Sequence, residues 1–169
     1  MKSSYNYNNI LVTGGAGFIG GHFIEAVLSQ NPTCTVINLD AMTYAGNADL
    51  VAEHQNRFKS RYVFIEESIT NYEAVSKILH QYKVDTVVHF AAESHVDNSL
   101  IDPYSAIKTN VEGTFVLLRA CLDYWKAAVD LDEAKCRFHH ISTDEVYGSL
   151  ELDSEEVFTE ESPYQPNSP

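Results

Sequence analysis

Thr143-Asp144-Glu145 sets a hydroxyl and two adjacent carboxyl groups directly after the strand-like run Arg137-Phe138-His139-His140-Ile141-Ser142. Two carboxyls held in different environments can divide the work of proton donor and proton acceptor. An arbitrary Thr-Asp-Glu is more simply a helix cap beside a solvated acid, so its chemistry depends on where the fold delivers it.

A second constellation points to a nucleotide. Thr13-Gly14-Gly15-Ala16-Gly17-Phe18-Ile19-Gly20 follows the apolar run Ile10-Leu11-Val12 and precedes a helical pattern, Phe23, Ile24, Val27 and Leu28. Gly14 suits a positive φ in a tight turn, Gly17 offers no Cβ to obstruct a pyrophosphate, and Gly20 allows close helix–strand approach. The helix start then presents free N–H groups to phosphate. Asp40 closes a second strand-like run 20 residues after Gly20, where an acid that takes ribose hydroxyls belongs. A carboxylate there repels a 2′-phosphate and so favours NAD over NADP.

The elements that must position these groups follow from hydrophobic periodicity. A helix over about 17–30 stops at Asn31-Pro32; strands are expected at 35–40, 62–65, 84–90 and 137–142, with helices over 48–55 and 68–82. Asp102-Pro103 reads as a helix start with a capping carboxylate. The helix that follows carries Ile107, Val111, Phe115, Leu118, Leu122 and Trp125 in a stripe expected to face the core. Strands alternating with helices predict an α/β fold, a Rossmann-type doubly wound parallel sheet in the order 3-2-1-4-5, ending after strand 5. Its crevice lies outside the carboxyl ends of strands 1 and 4, which makes 14–20, 91–97 and 143–147 neighbours.

Composition narrows the function classes. The 169 residues, 44% hydrophobic and 21% charged, are enough for one domain with a real core. A net charge of −13, from 11 Lys and Arg against 24 Asp and Glu, disfavours nucleic-acid or anionic-membrane partners. No apolar run is long enough to span a bilayer, and the first nine residues lack a signal-like apolar stretch. Cys34, Cys121 and Cys136 sit singly, as expected of reduced thiols in the cytoplasm. His89, His95, His139 and His140 lack metal-ligand spacing, because adjacent strand residues point to opposite faces; no metal is expected. Residues 1–8 are expected to be flexible, 9–148 to form the dinucleotide-binding domain, and 149–169 an acidic loop with six acids, three prolines and no Lys or Arg.

Taken together, the glycine turn, Asp40 with Thr43-Tyr44-Ala45-Gly46-Asn47, Phe90-Ala91-Ala92-Glu93-Ser94-His95-Val96-Asp97, and 138–148 around Thr143-Asp144-Glu145 resemble the extended short-chain dehydrogenase/reductases, and within them the nucleotide-sugar 4,6-dehydratases. The resemblance covers nearly the whole chain from Asn9. It implies NAD-dependent removal of water from a nucleotide-linked glucose, with thymidine as the base on resemblance alone. By resemblance Glu145 takes the C5 proton, Asp144 protonates the departing C6 hydroxyl, and Thr143 hydrogen-bonds the C4 oxygen. Implied cofactor contacts are Gly14, Gly17, Phe18, Ile19, Gly20, Asp40, Thr43, Ser68, Ile69, Phe90, Ala91, Ala92, Ser94 and Thr109, with Ser94, His95 and Thr143 facing the sugar. Ala41 and Ser68 stand where the family usually has Lys and Asp. The family's Tyr-x-x-x-Lys is expected just past Ser168-Pro169, which implies an N-terminal part, inactive alone, of an enzyme that pairs into homodimers. Tyr104 and Lys108 share that spacing but precede strand 5, on the wrong helix. Two other readings stay open: a non-catalytic nucleotide-binding module, and another extended reductase such as a 4-epimerase.

Overall fold

A computed structural model of the chain describes residues 7–128, 131–132 and 135–167. Five parallel strands, β1 (Asn9–Thr13), β2 (Thr35–Asp40), β3 (Tyr62–Glu66), β4 (Thr86–His89) and β5 (Arg137–His140), form one sheet in the order β3-β2-β1-β4-β5. This is the expected order, as right-handed crossovers require. Side chains alternate across β1: Ile10 and Val12 join one buried cluster with Ile24, Leu28 and Val51, whereas Leu11 joins the other with Leu79, Val87 and Leu117. The first cluster is roofed by α1 (Phe18–Gln30) and α2 (Ala48–Phe58), the second by α3 (Tyr72–Tyr82) and the long helix after β4.

Several boundaries move, each for a local reason. The expected helix over 68–82 starts only at Tyr72, because 68–71 closes as a turn: Asn71 N–H donates to the Ser68 carbonyl at 3.1 Å, and the Asn71 side chain caps α3 by accepting from Ala74 N–H. Likewise Asn47 caps α2, which runs to Phe58 rather than 55. β4 and β5 are shorter at both or one end than the apolar runs that mark them, and a short helix not expected from periodicity, α4 (Val96–Ile101), follows the β4 exit. The expected flexible start, 1–8, lies outside the described residues up to 6; Asn8 is held, donating to Asp85 and accepting from Thr35 N–H.

The largest correction concerns the long helix. It runs as α5 (Pro103–Ala106), a π-helical stretch (Ile107–Gly113) and α6 (Thr114–Ala127). Asp102 precedes it without a side-chain cap to the backbone; its carboxylate accepts instead from the Ser105 hydroxyl at 2.6 Å. The buried face is Ala106, Gly113, Leu117, Ala120, Cys121 and Tyr124. Of the stripe expected to face the core, Ile107, Val111, Phe115, Leu118 and Leu122 are 46 to 66% exposed, whereas Trp125 packs against the core and donates its Nε1–H to the Val84 carbonyl at 2.9 Å. Small residues let this helix lie against the sheet and α3, turning the larger apolar ones outward. No described helix is long and apolar enough to cross a membrane.

Candidate functional site

The glycine turn leaves β1 at Thr13. Gly14 has φ +72° and donates to the Leu39 carbonyl at 3.0 Å, so the turn is tied to β2 as well as β1. A Cβ at Gly14 would stand 2.6 Å from Ala91 N and 2.8 Å from Ala91 Cα, which makes the turn and the β4 exit a close fit. Gly20 abuts the Gly14 carbonyl, so its missing side chain serves the turn itself rather than the strand. Gly17 precedes α1, and no side chain caps that helix. Phe18 and Ile19 on its first turn are 79% and 66% exposed, leaving the helix start accessible to a phosphate.

Asp40 ends β2 with both carboxylate oxygens engaged by backbone. Oδ2 accepts from Ala16 N–H and Oδ1 from Met42 N–H, each at 2.9 Å. Asn47 N–H donates to the Ala16 carbonyl at 3.0 Å, strapping the 41–47 loop to the glycine turn. Thr43 is exposed in that loop, and the Tyr44 ring lies 5.6 Å from the His95 ring, bridging the β2 and β4 exits. Beyond β3, Ser68 N–H donates to Glu67 Oε1, while Ser68 Oγ lies 2.9 Å from Thr70 Oγ1. Ile69 is buried in the core, close against Gly113, so a role for it at a cofactor rests on its backbone.

At the β4 exit, Phe90 is half-buried with its ring 5.3 Å from Phe23, Ala91 is half-buried, and Ala92, Ser94 and His95 are exposed. Thr109 is half-buried on the π-helical stretch. Next to it Asn110 grips Glu93 at two points, accepting from its N–H at 2.8 Å and donating to its carbonyl at 3.0 Å. His89 is buried between Thr13 and Thr114, and burial, aided by nearby His140, pushes its imidazole down to about 4. Sequence reasoning missed this cluster; the only signals were Thr13 directly before Gly14, and Thr114 four residues after Asn110.

Thr143, Asp144 and Glu145 are exposed at a 3₁₀ turn (Asp144–Tyr147) directly after β5. Thr143 Oγ1 caps the turn by accepting from Glu145 N–H at 3.3 Å. Thr143 and Asp144 line a cavity of about 610 Å³ with Ser142, Val146, Tyr147, Tyr164 and Pro166; Glu145 is not among its described lining. The acidic loop makes the far wall, which sequence reasoning also missed. Gln165 N–H donates to the Val146 carbonyl at 2.9 Å, and the Tyr147 ring lies 5.3 Å from Phe158 and 5.6 Å from Tyr164. Of the three segments expected to be neighbours, 14–20 and 91–97 meet where Gly14 fits against Ala91; Ile141 N–H bonds the His89 carbonyl and so carries the β5 exit alongside β4, but the described lining of the Thr143–Asp144 cavity includes no residue of 14–20 or 91–97. Among the described residues no three His, Cys, Asp or Glu side chains converge as metal ligands would.

A family described as GDP-mannose 4,6 dehydratase matches residues 11–169. The chain is 48% identical over 164 residues to dTDP-glucose 4,6-dehydratase of Haemophilus influenzae, which covers 95% of this chain and 46% of that protein. It is 45% identical over 167 residues to dTDP-glucose 4,6-dehydratase 1 of Escherichia coli K12, covering 95% and 45%. The structure is similar to DesIV, a dTDP-glucose 4,6-dehydratase of Streptomyces venezuelae with NAD and TYD bound, with TM-score 0.80 and 40% identity over 95% of this chain and 46% of that one. It is also similar to UDP-glucose 4-epimerase of Thermus thermophilus in complex with NAD, with TM-score 0.76, 27% identity, and coverage of 95% and 45%. The chain thus spans about half the length of the curated relatives it matches.

Proposed function

The chain belongs to the GDP-mannose 4,6 dehydratase family, and from that premise we propose that it is the NAD-binding part of a hydro-lyase that converts dTDP-glucose to its 4-keto-6-deoxy product. The observation that supports the reading is the close fit of the glycine turn against the β4 exit, with Asp40 at the end of β2 and the Thr143-Asp144-Glu145 turn following β5, the strand paired to β4. The residues present fit NAD: the Gly14–Ala91 contact shapes the turn, the α1 start is uncapped, and Asp40 stands at the end of β2. NAD⁺, when bound, would take the hydride from C4 and, once reduced, give it to C6, while the C4 hydroxyl proton passes to a general base other than Thr143, Asp144 and Glu145.

In this reading Gly17, Phe18 and Ile19 hold the pyrophosphate, Asp40 and Thr43 the ribose, and Ser68 with the Ile69 backbone the adenine side. Thr143 donates a hydrogen bond to the C4 oxygen. Glu145 removes the C5 proton, acidified by the C4 ketone; the C5 electron pair forms the C5–C6 double bond as the C6–O bond breaks, and Asp144 gives the leaving hydroxyl its proton, releasing water. Glu145 then returns its proton to C5. An epimerase needs the same glycine turn but not the Asp-Glu pair. With dTDP-glucose in D₂O, solvent deuterium at C5 together with loss of the C6 oxygen is the expected result; an inverted C4 with the C6 oxygen kept would favour the epimerase.

Calorimetry is expected to show NAD⁺ bound more tightly than NADP⁺. Asp40→Asn, which weakens a charge-assisted hydrogen bond to the ribose and also turns an NH₂ toward the N–H of Ala16 or Met42, should cost about 1.5–3 kcal/mol of NAD⁺ affinity from the ribose bond, with a further loss from the loosened turn. Equal affinity of the parent for both cofactors would overturn the assignment of Asp40.

We further place the protein in the cytoplasm as a homodimer. Burial pushes the thiols of Cys34 and Cys121 up to about 11 and about 12, which keeps both unreactive. The exposed row Ile107, Val111, Phe115, Leu118 and Leu122 is the apolar face offered to a second copy. Phe115→Asp should convert a dimer to monomers in analytical ultracentrifugation; an unchanged sedimentation coefficient would rule this face out.

A further inference from the structure

The groups around His89 form a chain whose proton order can be worked out. The Thr114 hydroxyl donates to the Asn110 carbonyl at 2.7 Å. A hydroxyl has one proton, so across the 3.0 Å contact with His89 Nε2 it must accept, and Nε2 carries the hydrogen. His89 is 1% exposed and held neutral by burial, so its other nitrogen is an acceptor. Nδ1 therefore takes the Thr13 hydroxyl proton at 2.6 Å, which leaves Thr13 Oγ1 to accept from Ala91 N–H at 3.3 Å. Every bond runs one way, from Ala91 N–H through Thr13, His89 and Thr114 to the Asn110 carbonyl.

The chain ties together three segments far apart in sequence. Thr13 is the last residue before Gly14, Ala91 is the backbone against which Gly14 fits, and Asn110 sits where the helix takes its π-helical path. A π-helical stretch forgoes regular i→i−4 bonding, and here the Thr114 side chain reaches back to the Asn110 carbonyl. From the same residue the Asn110 side chain grips both polar backbone groups of Glu93. The β4 exit is thus fastened at Ala91 and again at Glu93, on either side of Ala92.

We propose that His89 is a positioning residue: as the Nε2–H tautomer it sets the spacing between the glycine turn and the β4 exit, and it depends for this on Thr114 of α6. The proposal rests on the reading of those two segments as the dinucleotide site.

Two measurements test it on the protein that carries this chain. In ¹⁵N NMR with labelled histidine, His89 should show a protonated Nε2 and a bare Nδ1, unchanged between about pH 5.5 and 8. An Nδ1–H tautomer, or a ring titrating near its ordinary value of about 6.5, would overturn the relay without any substitution. Thr114→Val removes the acceptor and should weaken NAD⁺ binding about tenfold, whereas Thr114→Ser keeps the hydroxyl and should restore the affinity of the parent. Equal affinities of all three, or a Ser variant as weak as the Val variant, would overturn the role of Thr114. A parent that binds no NAD⁺ overturns the cofactor reading instead, and the NMR measurement then decides the relay alone.

Discussion

Glu145→Gln, made in the protein that carries this chain, is expected to stop exchange of the substrate's C5 hydrogen with solvent and to slow dehydration about 10²- to 10⁴-fold. The amide matches the carboxylate in shape and lacks its basicity, so the change removes the proton acceptor. Glu145 is exposed on the 3₁₀ turn, which is capped by its backbone N–H donating to Thr143 Oγ1. In the proposed order oxidation at C4 precedes the C5 step, so NADH is expected still to form in a single turnover. Asp144→Asn should give the complementary defect: exchange continues while loss of water slows. Deuterium uptake at C5 followed by NMR separates the two. Unchanged exchange in Glu145→Gln would reverse the assignment.

Gly14→Ala should damage both stability and cofactor binding. With φ at +72°, a side chain there carries the left-handed penalty of roughly 1–2 kcal/mol. The added Cβ also meets Ala91 N and Cα, backbone atoms with no rotamer to retreat into. A total loss of about 3 kcal/mol is expected, along with NAD⁺ affinity lowered about 100-fold as the β4 exit moves. Gly17→Ala is the contrast. Its φ is −76°, and an added Cβ would meet only the Gly14 carbonyl at 3.3 Å. The fold should tolerate that methyl with a small shift in Tm, while the pyrophosphate, which needs the same space, is turned away. Thermal unfolding paired with calorimetry distinguishes them. NAD⁺ binding by Gly17→Ala as tight as the parent's would remove the pyrophosphate from this turn.

Much of this was legible because the signals are local. Strand order follows from alternation and handedness, and Gly14, Gly20 and Asp40 announce themselves through residue type and spacing. The outward stripe was misread because periodicity detects large apolar residues without telling which face is inside. On the long helix the inner face is Ala106, Gly113, Ala120 and Cys121 with Leu117 and Tyr124. Small residues permit close approach, a packing effect that hydropathy does not record. The His89 relay was hidden for another reason: its bonds join residues 76 and 25 positions apart, and its direction follows only from counting protons on three side chains.

Asp40 serves two ends with one carboxylate. The oxygens proposed to greet the ribose also stitch the glycine turn to the loop after β2, through Ala16 and Met42. On the proposed assignment selectivity and scaffold are inherited together at this position, and a lineage or an engineer seeking to admit a 2′-phosphate by replacing Asp40 would unpick the turn first. Thr43 and Ala41, exposed in the following loop, offer separable handles. Retuning of cofactor choice should accumulate there, with Asp40 left in place as a hinge pin.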